Sequence, residues 1–254
     1  MSRWMKPYKV VIAYDGTGYH GWQEQKNIIT VAGLLQARFK KVFGQEIKLV
    51  GASRTDTGVH ALGQVARFYS DRIIDPLIMQ RSWNSSLPPD IHIRALEYAP
   101  ENFHSQHNVI EKTYYYHFFT QLPLPFIARY GLYYRFPLDY DKFKESLDLF
   151  VGTHDFRLFC ADNNYDTTIR TINFIKLEYL QKYRAYRIIV KGPSFLRYMI
   201  RRIVGSSLEI AASKNRSIHE IADALQERKS SYQFPTAGAH GLLLRKVTYE
   251  RNLL

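Results

Sequence analysis

The segment Gly51–Ala61 (GASRTDTGVHA) combines one basic residue, one acidic residue and one imidazole with small, turn-forming residues. Its aspartate, Asp56, could act as a nucleophile or general base if nearby cations keep the carboxylate ionised. The same aspartate could instead stabilise a turn through its own backbone, with Gly58 supplying a positive φ angle. His60 also has two interpretations, as a base or ligand and as a packed, hydrogen-bonded structural residue. The pattern therefore predicts a charged loop and leaves its role open.

An earlier glycine-containing segment, Tyr14–Gln25 (YDGTGYHGWQEQ), carries side chains that suit RNA. Trp22 can stack on a base, and Gln23 and Gln25 can hydrogen-bond to base edges or to ribose. An ordinary strand-to-helix loop whose tryptophan packs on the core would have the same composition. The segment is therefore compatible with an RNA-binding loop and with a structural one.

A helix is predicted from Ser194, because apolar residues recur at helical spacing through Phe195–Gly205 (FLRYMIRRIVG). On such a helix Arg197 and Arg201 lie one turn apart on one flank, where they could face phosphates or a carboxylate. A solvated surface is the alternative for either arginine.

Three consecutive tyrosines occur in the segment Lys112–His117 (KTYYYH). In a strand, Tyr114 and Tyr116 share one face of the sheet and Tyr115 takes the other. A phenol with a reference pKa of about 10 is a poor base at neutral pH. We therefore expect Tyr114 to stack on a base or to donate a hydrogen bond.

The 254-residue chain has a formal net charge of +12, which favours polyanionic partners. Its 46% hydrophobic content is typical of globular proteins and excludes extensive disorder. The single cysteine, Cys160, excludes an intramolecular disulfide and a multi-cysteine zinc site, and the histidines lack metal-binding spacing. No signal-peptide or membrane-spanning stretch is evident, so we expect a cytoplasmic protein with no metal and no membrane partner.

The predicted elements alternate between strands and helices in both halves of the chain. Those of the first half are the strand Lys9–Asp15, a helix from Thr30, the strands Ile47–Val50 and Ala61–Tyr69, a helix from Asp75 and the strand Ile91–Tyr98. Those of the second half are the strand Thr113–Thr120, the helix Asp139–Val151, a hairpin over Ile169–Lys191, the helix from Ser194, a short helix opened by the capping box Ser217–Glu220 and the strand Leu242–Tyr249. The order predicts a mixed α+β fold of two ferredoxin-like halves, 1–105 and 106–254. We expect them to form a largely antiparallel sheet with helices packed on it and an active-site cleft between the halves.

Seven motifs, collinear across almost the whole chain, resemble those of the bacterial tRNA pseudouridine synthase A family. They are YDGTGYHGWQEQ at Tyr14–Gln25, SRTDTGVHA at Ser53–Ala61, NSSLPPDI at Asn84–Ile91, KTYYY at Lys112–Tyr116, GTHDF at Gly152–Phe156, FLRYMIRRIVG at Phe195–Gly205 and AHGLLL at Ala239–Leu244. The resemblance implies an enzyme that isomerises uridine to pseudouridine in the anticodon stem-loop of tRNA, at positions 38, 39 and 40. It also implies a homodimer that needs no cofactor.

Carried over residue by residue, the resemblance assigns four catalytic residues. Asp56 takes the place of the catalytic aspartate, and Arg54 takes that of the arginine that accompanies base flipping. Tyr114 matches the tyrosine that stacks on the target base, and Arg201 matches the arginine that pairs with the aspartate. Whether Asp56 attacks carbon or acts as a base stays open. The further predicted substrate-binding residues are Trp22, Gln23, Gln25, His60, Arg197 and Leu243.

The chain departs from the family pattern after Phe103 and His104. Family members usually continue with Ala-Arg and an aromatic residue, whereas this chain has Ser105–His107 (SQH). The uncharged Gln106 in place of arginine predicts altered RNA contacts or an altered site. It also motivates an alternative function, an RNA-binding protein without catalysis. A metal-dependent nuclease that uses His and Asp residues is a further, weakly motivated alternative.

Overall fold

The computed structural model describes residues 5–161, 165–226 and 233–250. These residues form a mixed α+β fold, which confirms the predicted fold class. The strands are β1 (Lys6–Tyr14), β2 (Val50–Gly51), β3 (His60–Ser70), β4 (Ile91–Tyr98), β5 (Val109–Phe119), β6 (Leu132–Tyr133), β7 (Gly152–Asp155), β8 (Ile169–Ile172), β9 (Phe174–Leu180), β10 (Ala185–Gly192) and β11 (Leu242–Tyr249). The helices are α1 (Val31–Phe43), α2 (Pro76–Asn84), α3 (Pro125–Ala128), α4 (Tyr140–Asp148), α5 (Met199–Ala212) and α6 (His219–Gln226). None of these described helices is both long enough and apolar enough to cross a membrane.

The chain divides into two compact units, Met1–Lys112 with Leu243–Leu254, and Thr113–Leu242. The sequence prediction divided the chain once, near residue 105. In the structure the last strand returns to the first unit, because β11 pairs with β3. The first unit therefore contains Arg54, Asp56 and Leu243, and the second contains Tyr114, Arg197 and Arg201.

In the first unit the strands lie in the order β4-β1-β3-β11, with the short β2 beside β3. β1 is antiparallel to both β3 and β4, whereas β11 is parallel to β3 with Leu243 opposite His60. Tyr8, Val10 and Ile12 of β1 are fully buried at every second position, as the period of a strand requires. The four long strands of this unit are those predicted from the sequence.

Helices α1 and α2 begin at side chains that cap them, as predicted. Thr30 accepts a backbone N–H of the first turn of α1 at 3.3 Å, and Asp75 accepts one from α2 at 2.9 Å. The two helices meet where the indole N–H of Trp83 donates to the carbonyl of Leu35 at 3.1 Å. The ring of Trp83 also packs edge-on against Phe39, with ring centroids 4.9 Å apart.

In the second unit the strands lie in the order β5-β10-β9, with β6 parallel to the end of β5. The hairpin predicted over Ile169–Lys191 is confirmed from Phe174 onward, where β9 and β10 are antiparallel. Its first residues form β8, which instead pairs antiparallel with β7. Asp139 caps α4, which ends three residues before its predicted end at Val151. Phe143 of α4 packs edge-on against Phe118 of β5 with ring centroids 5.6 Å apart, which joins the helix to the sheet.

The strand predicted over Ile47–Val50 is mostly absent, and only β2 remains of it. Ile47 and Leu49 are buried, as the apolar pattern indicated. However, the N–H of Leu49 donates to Oε1 of Gln36 on α1 at 2.8 Å. A helix side chain thus takes the place of a partner strand, and the backbone does not extend the sheet.

The helix predicted from Ser194 begins instead at Met199. Tyr198 stands immediately before it in a left-handed backbone conformation, with a φ of 65°. The N–H of Arg197 donates to the hydroxyl of Tyr165 at 3.0 Å rather than to a helical carbonyl. Tertiary contacts therefore outweigh the local helical preference of this segment.

Candidate active site

The acid loop, Ser53–Val59, joins β2 to β3, and the glycine loop, Tyr14–Gln25, joins β1 to α1. Backbone hydrogen bonds hold the two loops together. The N–H of Trp22 donates to the carbonyl of Thr55 at 3.1 Å, and the N–H of Gly58 donates to a carbonyl of the glycine loop at 3.3 Å. Two motifs that are distant in the sequence thus form one structure.

Asp56 is half-buried in the acid loop. Its main-chain carbonyl accepts the N–H of Val59 at 3.1 Å, and Gly58 within this turn has a φ of 78°. Glycine adopts that conformation without steric cost, so the predicted turn with a positive φ is confirmed. A fixed turn gives the backbone of Asp56 a constant position, from which its carboxylate could act as a nucleophile or a base.

Buried side chains hold the residues on both sides of Arg54. Gln64, which has no accessible surface, donates to the carbonyl of Ser53 at 2.6 Å and accepts the N–H of Ser53 at 3.3 Å. The hydroxyl groups of Tyr14 and Thr55 share a hydrogen bond of 2.7 Å. Arg54 itself is exposed, and its side chain makes no hydrogen bond or ion pair with the described residues. Its backbone is therefore fixed while its guanidinium faces solvent.

The close approach of the two loops depends on particular glycines. A Cβ on Gly16 would lie 2.0 Å from the carbonyl oxygen of Val59, and one on Gly21 would lie 2.5 Å from that of Thr55. Gly21 also has a φ of 83°. A Cβ on Gly18 would meet nothing within 4 Å. Gly16 and Gly21 are thus required where they stand, and Gly18 is not.

His60, the first residue of β3, is buried and links the same two loops. Its Nδ1 accepts the N–H of Gly16 at 3.1 Å, and a carboxylate oxygen of Asp15 lies 3.1 Å from that nitrogen. Leu243 of β11 is its partner in the parallel pairing with β3. The structure thus brings His60 and Leu243 together beside the acid loop, and the contacts of His60 favour its structural interpretation.

The side chains of the glycine loop differ in what they can offer to RNA. Trp22 is only 1% exposed, and its ring stacks on Tyr14 with centroids 6.1 Å apart. Because neither face of this ring is open, its position corresponds to core packing and not to base stacking. Gln23 and Gln25 are exposed, and Nε2 of Gln25 donates to the carbonyl of His20 at 3.2 Å.

In the second unit, Tyr114 and Tyr116 are both buried on one face of β5, as predicted. Tyr114 packs edge-on against Phe195, with ring centroids 5.3 Å apart. The hydroxyl of Tyr116 donates to the carbonyl of Gly238 at 2.9 Å, and burial raises the pKa of this phenol above its usual value. Tyr116 is therefore a neutral structural residue, and Tyr114 is the candidate for contact with a base.

Arg201 lies in the first turn of α5, where a main-chain carbonyl and an aromatic ring both contact it. Its Nε donates to the carbonyl of Ala237 at 2.8 Å, and its guanidinium lies 4.8 Å from the centre of the Tyr198 ring. The guanidinium of Arg197 lies 5.0 Å from the same ring. The predicted arrangement on one helix flank is wrong, because Arg197 precedes the helix. Both arginines instead contact the ring of Tyr198, which lies between them in the sequence.

Tyr198 is the residue of this region that sequence reasoning missed. Its left-handed conformation, with a φ of 65°, is one that costs a residue other than glycine about 1–2 kcal/mol. The apolar spacing of Phe195–Gly205 runs through this position without a break, so the sequence carries no signal of the turn.

Gln106, at the position where the family pattern has arginine, is tied to the strand that precedes the acid loop. Its Nε2 donates to the carbonyl of Gly51 at 3.0 Å. The hydroxyl of Ser105 donates to the carbonyl of Val50 at 2.6 Å, and the hydroxyl of Tyr249 donates to the carbonyl of Ser105 at 2.8 Å. The substituted position therefore supports β2 through uncharged hydrogen bonds.

These groups define what each unit can do chemically. The first offers a half-buried carboxylate two residues after an exposed cation, and the second offers a buried phenol and two guanidinium groups on one ring. Such groups suit recognition of a polyanion and general acid–base or nucleophilic chemistry on it. In the described ranges, no three His, Cys, Asp or Glu side chains are grouped so that they could hold a metal ion.

Comparison with known proteins identifies the family. The family described as tRNA pseudouridine synthase matches residues 10–108 and 147–250. The tRNA pseudouridine synthase A of Thermodesulfovibrio yellowstonii is 40% identical over 251 residues, covering 95% of this chain and 98% of that protein. The tRNA pseudouridine synthase A of Acetivibrio thermocellus is 36% identical over 247 residues, covering 96% of this chain and all of that protein. The chain belongs to the tRNA pseudouridine synthase family.

Proposed function

We propose that this protein isomerises uridine to pseudouridine in the anticodon stem-loop of tRNA, at positions 38, 39 and 40. The observation that carries the proposal is the acid loop, in which Asp56 is held in a fixed turn two residues after the exposed Arg54. Membership of the tRNA pseudouridine synthase family and a net charge of +12 support it.

The reaction breaks the bond between N1 of uracil and C1′ of ribose and forms a bond between C5 and C1′. The proton on C5 leaves and N1 gains a proton, so atoms and electrons balance without an oxidant, a reductant or a cofactor. Because the base is stacked inside an RNA stem, the nucleotide must first be flipped out. Arg54, with its guanidinium exposed on a fixed backbone, is the side chain that enters the space left by the base.

Asp56 is the catalytic carboxylate of this proposal. In its ionised form it attacks the nucleotide or removes a proton from the sugar, and Arg201 is its cationic partner. Tyr114 stacks on the detached uracil and holds it for attachment through C5. These three roles correspond to the positions that the motifs assign.

The other proposed substrate contacts differ in accessibility. Gln23, Gln25 and Arg197 are exposed and can reach RNA directly. His60 and Leu243 act through the acid loop, because they lie opposite each other where that loop enters β3.

We also propose that the enzyme works in the cytoplasm as a homodimer. The second unit exposes a run of apolar side chains around α3, and Phe126 there is 88% exposed. Leu122 and Leu124 beside it are exposed as well, and such patches mark protein contacts. We expect sedimentation to give twice the 29.8 kDa mass of the chain, and Phe126→Asp to give the single mass.

Tritium release from an unmodified tRNA transcript labelled at C5 of uridine tests the activity. We expect the wild type to release tritium, and Asp56→Ala to release none while it still binds tRNA. Asp141→Ala, which removes an exposed carboxylate of α4, is the matched control and should release tritium like the wild type. Mapping the modified nucleotides then tests the three positions.

An RNA-binding protein without catalysis is a second candidate function, favoured by the uncharged Gln106. It predicts salt-sensitive tRNA binding by the wild type and no tritium release on any tRNA. Equal release by the wild type and Asp56→Ala would instead retain the enzyme and remove Asp56 from the catalytic role.

A further inference from the structure

Tyr198 combines a backbone conformation that its residue type disfavours with a ring that two arginines share. Its φ of 65° and ψ of −3° lie in the left-handed region, where glycine and asparagine are the usual residues. Its ring centre lies 4.8 Å from the guanidinium of Arg201 and 5.0 Å from that of Arg197. Strain of this kind persists only where the surrounding structure imposes it, and it is frequent at functional sites.

Main-chain contacts fix the turn on both sides of Tyr198. Before it, the N–H of Arg197 donates to the hydroxyl of Tyr165 at 3.0 Å, and the carbonyl of Arg197 accepts the N–H of Ala161 at 3.1 Å. After it, the carbonyl of Tyr198 accepts the N–H of Arg202 at 2.9 Å. Because the chain is anchored at both ends, the left-handed residue determines where the ring lies.

The ring restrains Arg201 in a way that a hydrogen bond does not. The bond from Nε to the carbonyl of Ala237, 2.8 Å long, fixes one edge of the guanidinium. Hydrogen bonds to a guanidinium lie in its plane, and they resist a tilt of that plane less than a group packed against its face does. The ring of Tyr198 facing the guanidinium resists the tilt through stacking and cation–π attraction.

We propose that Tyr198 is a positioning residue that fixes the plane of the Arg201 guanidinium and holds Arg197 in place for an RNA phosphate. This inference rests on the proposed function, in which Arg201 is the partner of Asp56. It assigns different kinetic effects to the two arginines. Orientation of Arg201 acts on kcat, because the partner carboxylate reacts, whereas placement of Arg197 acts on the KM for tRNA.

Three substitutions separate the ring from the backbone strain. Tyr198→Asn accepts the left-handed backbone and removes the ring, so we expect Tm to stay the same or rise while kcat falls about tenfold. Tyr198→Phe keeps the ring, and we expect it to restore kcat to within about threefold of the wild type. Tyr183→Asn is the matched control, because it removes a tyrosine ring at an exposed position with a cation, Lys182, 5.7 Å from its centre. Its kcat should equal that of the wild type.

A second readout does not depend on activity. In ¹⁵N-arginine-labelled protein, Arg201→Lys assigns the Nε–H signal of Arg201, which should be protected and ring-shifted in the wild type and in Tyr198→Phe. Tyr198→Asn should move that signal by removing the ring, even if no tRNA is ever modified. If the signal and kcat of Tyr198→Asn both match the wild type, the positioning role is overturned while the proposed function stands. If the wild type releases no tritium but the signal moves as expected, the proposed function fails and the orientation of Arg201 by the ring is retained.

Discussion

The acid loop of the first unit and the arginine turn of the second, Phe195–Arg201, both have an anchored backbone, but they present their functional groups in different ways. Backbone contacts of Thr55 and Gly58 hold most of the acid loop, beside glycines that leave no room for a Cβ, and the side chains of Gln64 and Tyr14 add to them. The arginine turn presents its guanidinium groups through a side chain, the ring of Tyr198.

This difference decides how each region responds to substitution. A loop held by backbone contacts tolerates no added atom at the contact, but it keeps its shape when exposed side chains change. The arginine turn should keep its backbone fold when the Tyr198 ring is removed. Only the orientation of the guanidinium groups of Arg197 and Arg201 should then change. Substitutions in the acid loop should therefore lower the free energy of unfolding, whereas substitutions in the arginine turn should lower kcat.

The largest effect is expected from Gly16→Ala, which drives a Cβ into the carbonyl oxygen of Val59 at 2.0 Å. We expect a loss of roughly 3 kcal/mol in the free energy of unfolding, with tritium release falling in parallel. Urea denaturation and the release assay measure the two effects. Gly18→Ala is the matched control, because its Cβ would meet nothing within 4 Å, and it should change stability by less than about 0.5 kcal/mol. Similar stabilities for the two variants would show that the close approach of Gly16 to Val59 does not stabilise the acid loop.

Arg201→Lys tests the arginine turn directly. Lysine keeps the charge but loses the Nε bond to Ala237 and the planar face on the Tyr198 ring, so we expect kcat to fall about 10- to 100-fold with little change in Tm. Single-turnover kinetics on labelled tRNA measure this fall. Arg197→Lys, at an exposed position on the same ring, should raise the KM for tRNA more than it lowers kcat. A lysine variant at 201 with wild-type kcat would show that charge alone suffices there.

Thr55→Val removes one side-chain contribution to the acid loop. It leaves the hydroxyl of Tyr14 without the 2.7 Å hydrogen bond that the two residues share, so we expect a loss of about 1–2 kcal/mol in the free energy of unfolding. Thr57→Val, in the same loop but exposed, should change stability by less than about 0.5 kcal/mol. Chemical denaturation compares them, and equal effects would show that backbone contacts hold the loop without help from this hydroxyl.

The smallest effect concerns pH and the turn that supports β2. Nδ1 of His104 accepts the N–H groups of Gln106 and His107, so this ring must be neutral there. Desolvation by burial, then His107 and Arg67, lower the pKa of His104 below its ordinary value. A lowered pKa means that the folded protein binds this proton less readily than the unfolded chain. Its contribution to stability is therefore present above the ordinary value of about 6.5 and is lost as the pH falls through the lowered pKa.

Thermal unfolding at pH 7.5 and pH 5.0 measures this contribution of His104. We expect His104→Asn to reduce the drop in Tm between the two pH values, because it removes the titrating ring. His92→Asn, at an exposed position on β4, should leave the drop as it is in the wild type. An unchanged drop in both variants would assign the acid sensitivity to other groups.

Much of the fold could be predicted because its signals are local. Thr30 and Asp75 cap helices through their own side chains, and the alternation of β1 lies within nine residues. The turn around Asp56 followed from Gly58 and its small neighbours, whose conformational preferences do not depend on the rest of the chain. The strand over Ile47–Val50 failed for the opposite reason, because a glutamine on another element binds its backbone.

The candidate residues divide in the same way. Composition and spacing singled out Asp56 and Tyr114, and the motifs added Arg54 and indicated the family, which the comparisons then showed. The burial of Trp22 could not be predicted, since an aromatic residue in a glycine-containing loop suits a nucleotide base and a protein core equally well. The left-handed conformation of Tyr198 could not be predicted either, because the apolar pattern of a helix continues through its position.

By itself the sequence determined the fold class, most strand and helix positions, the charge that suits RNA and the motifs of the family. Each of these depends on residue types close together along the chain or on their sum. Only the tertiary structure decided that His60 links two loops, that Gln106 supports β2 and that Arg197 and Arg201 meet at Tyr198. Those arrangements depend on contacts that folding creates, either between distant residues or through a backbone conformation that local preference disfavours.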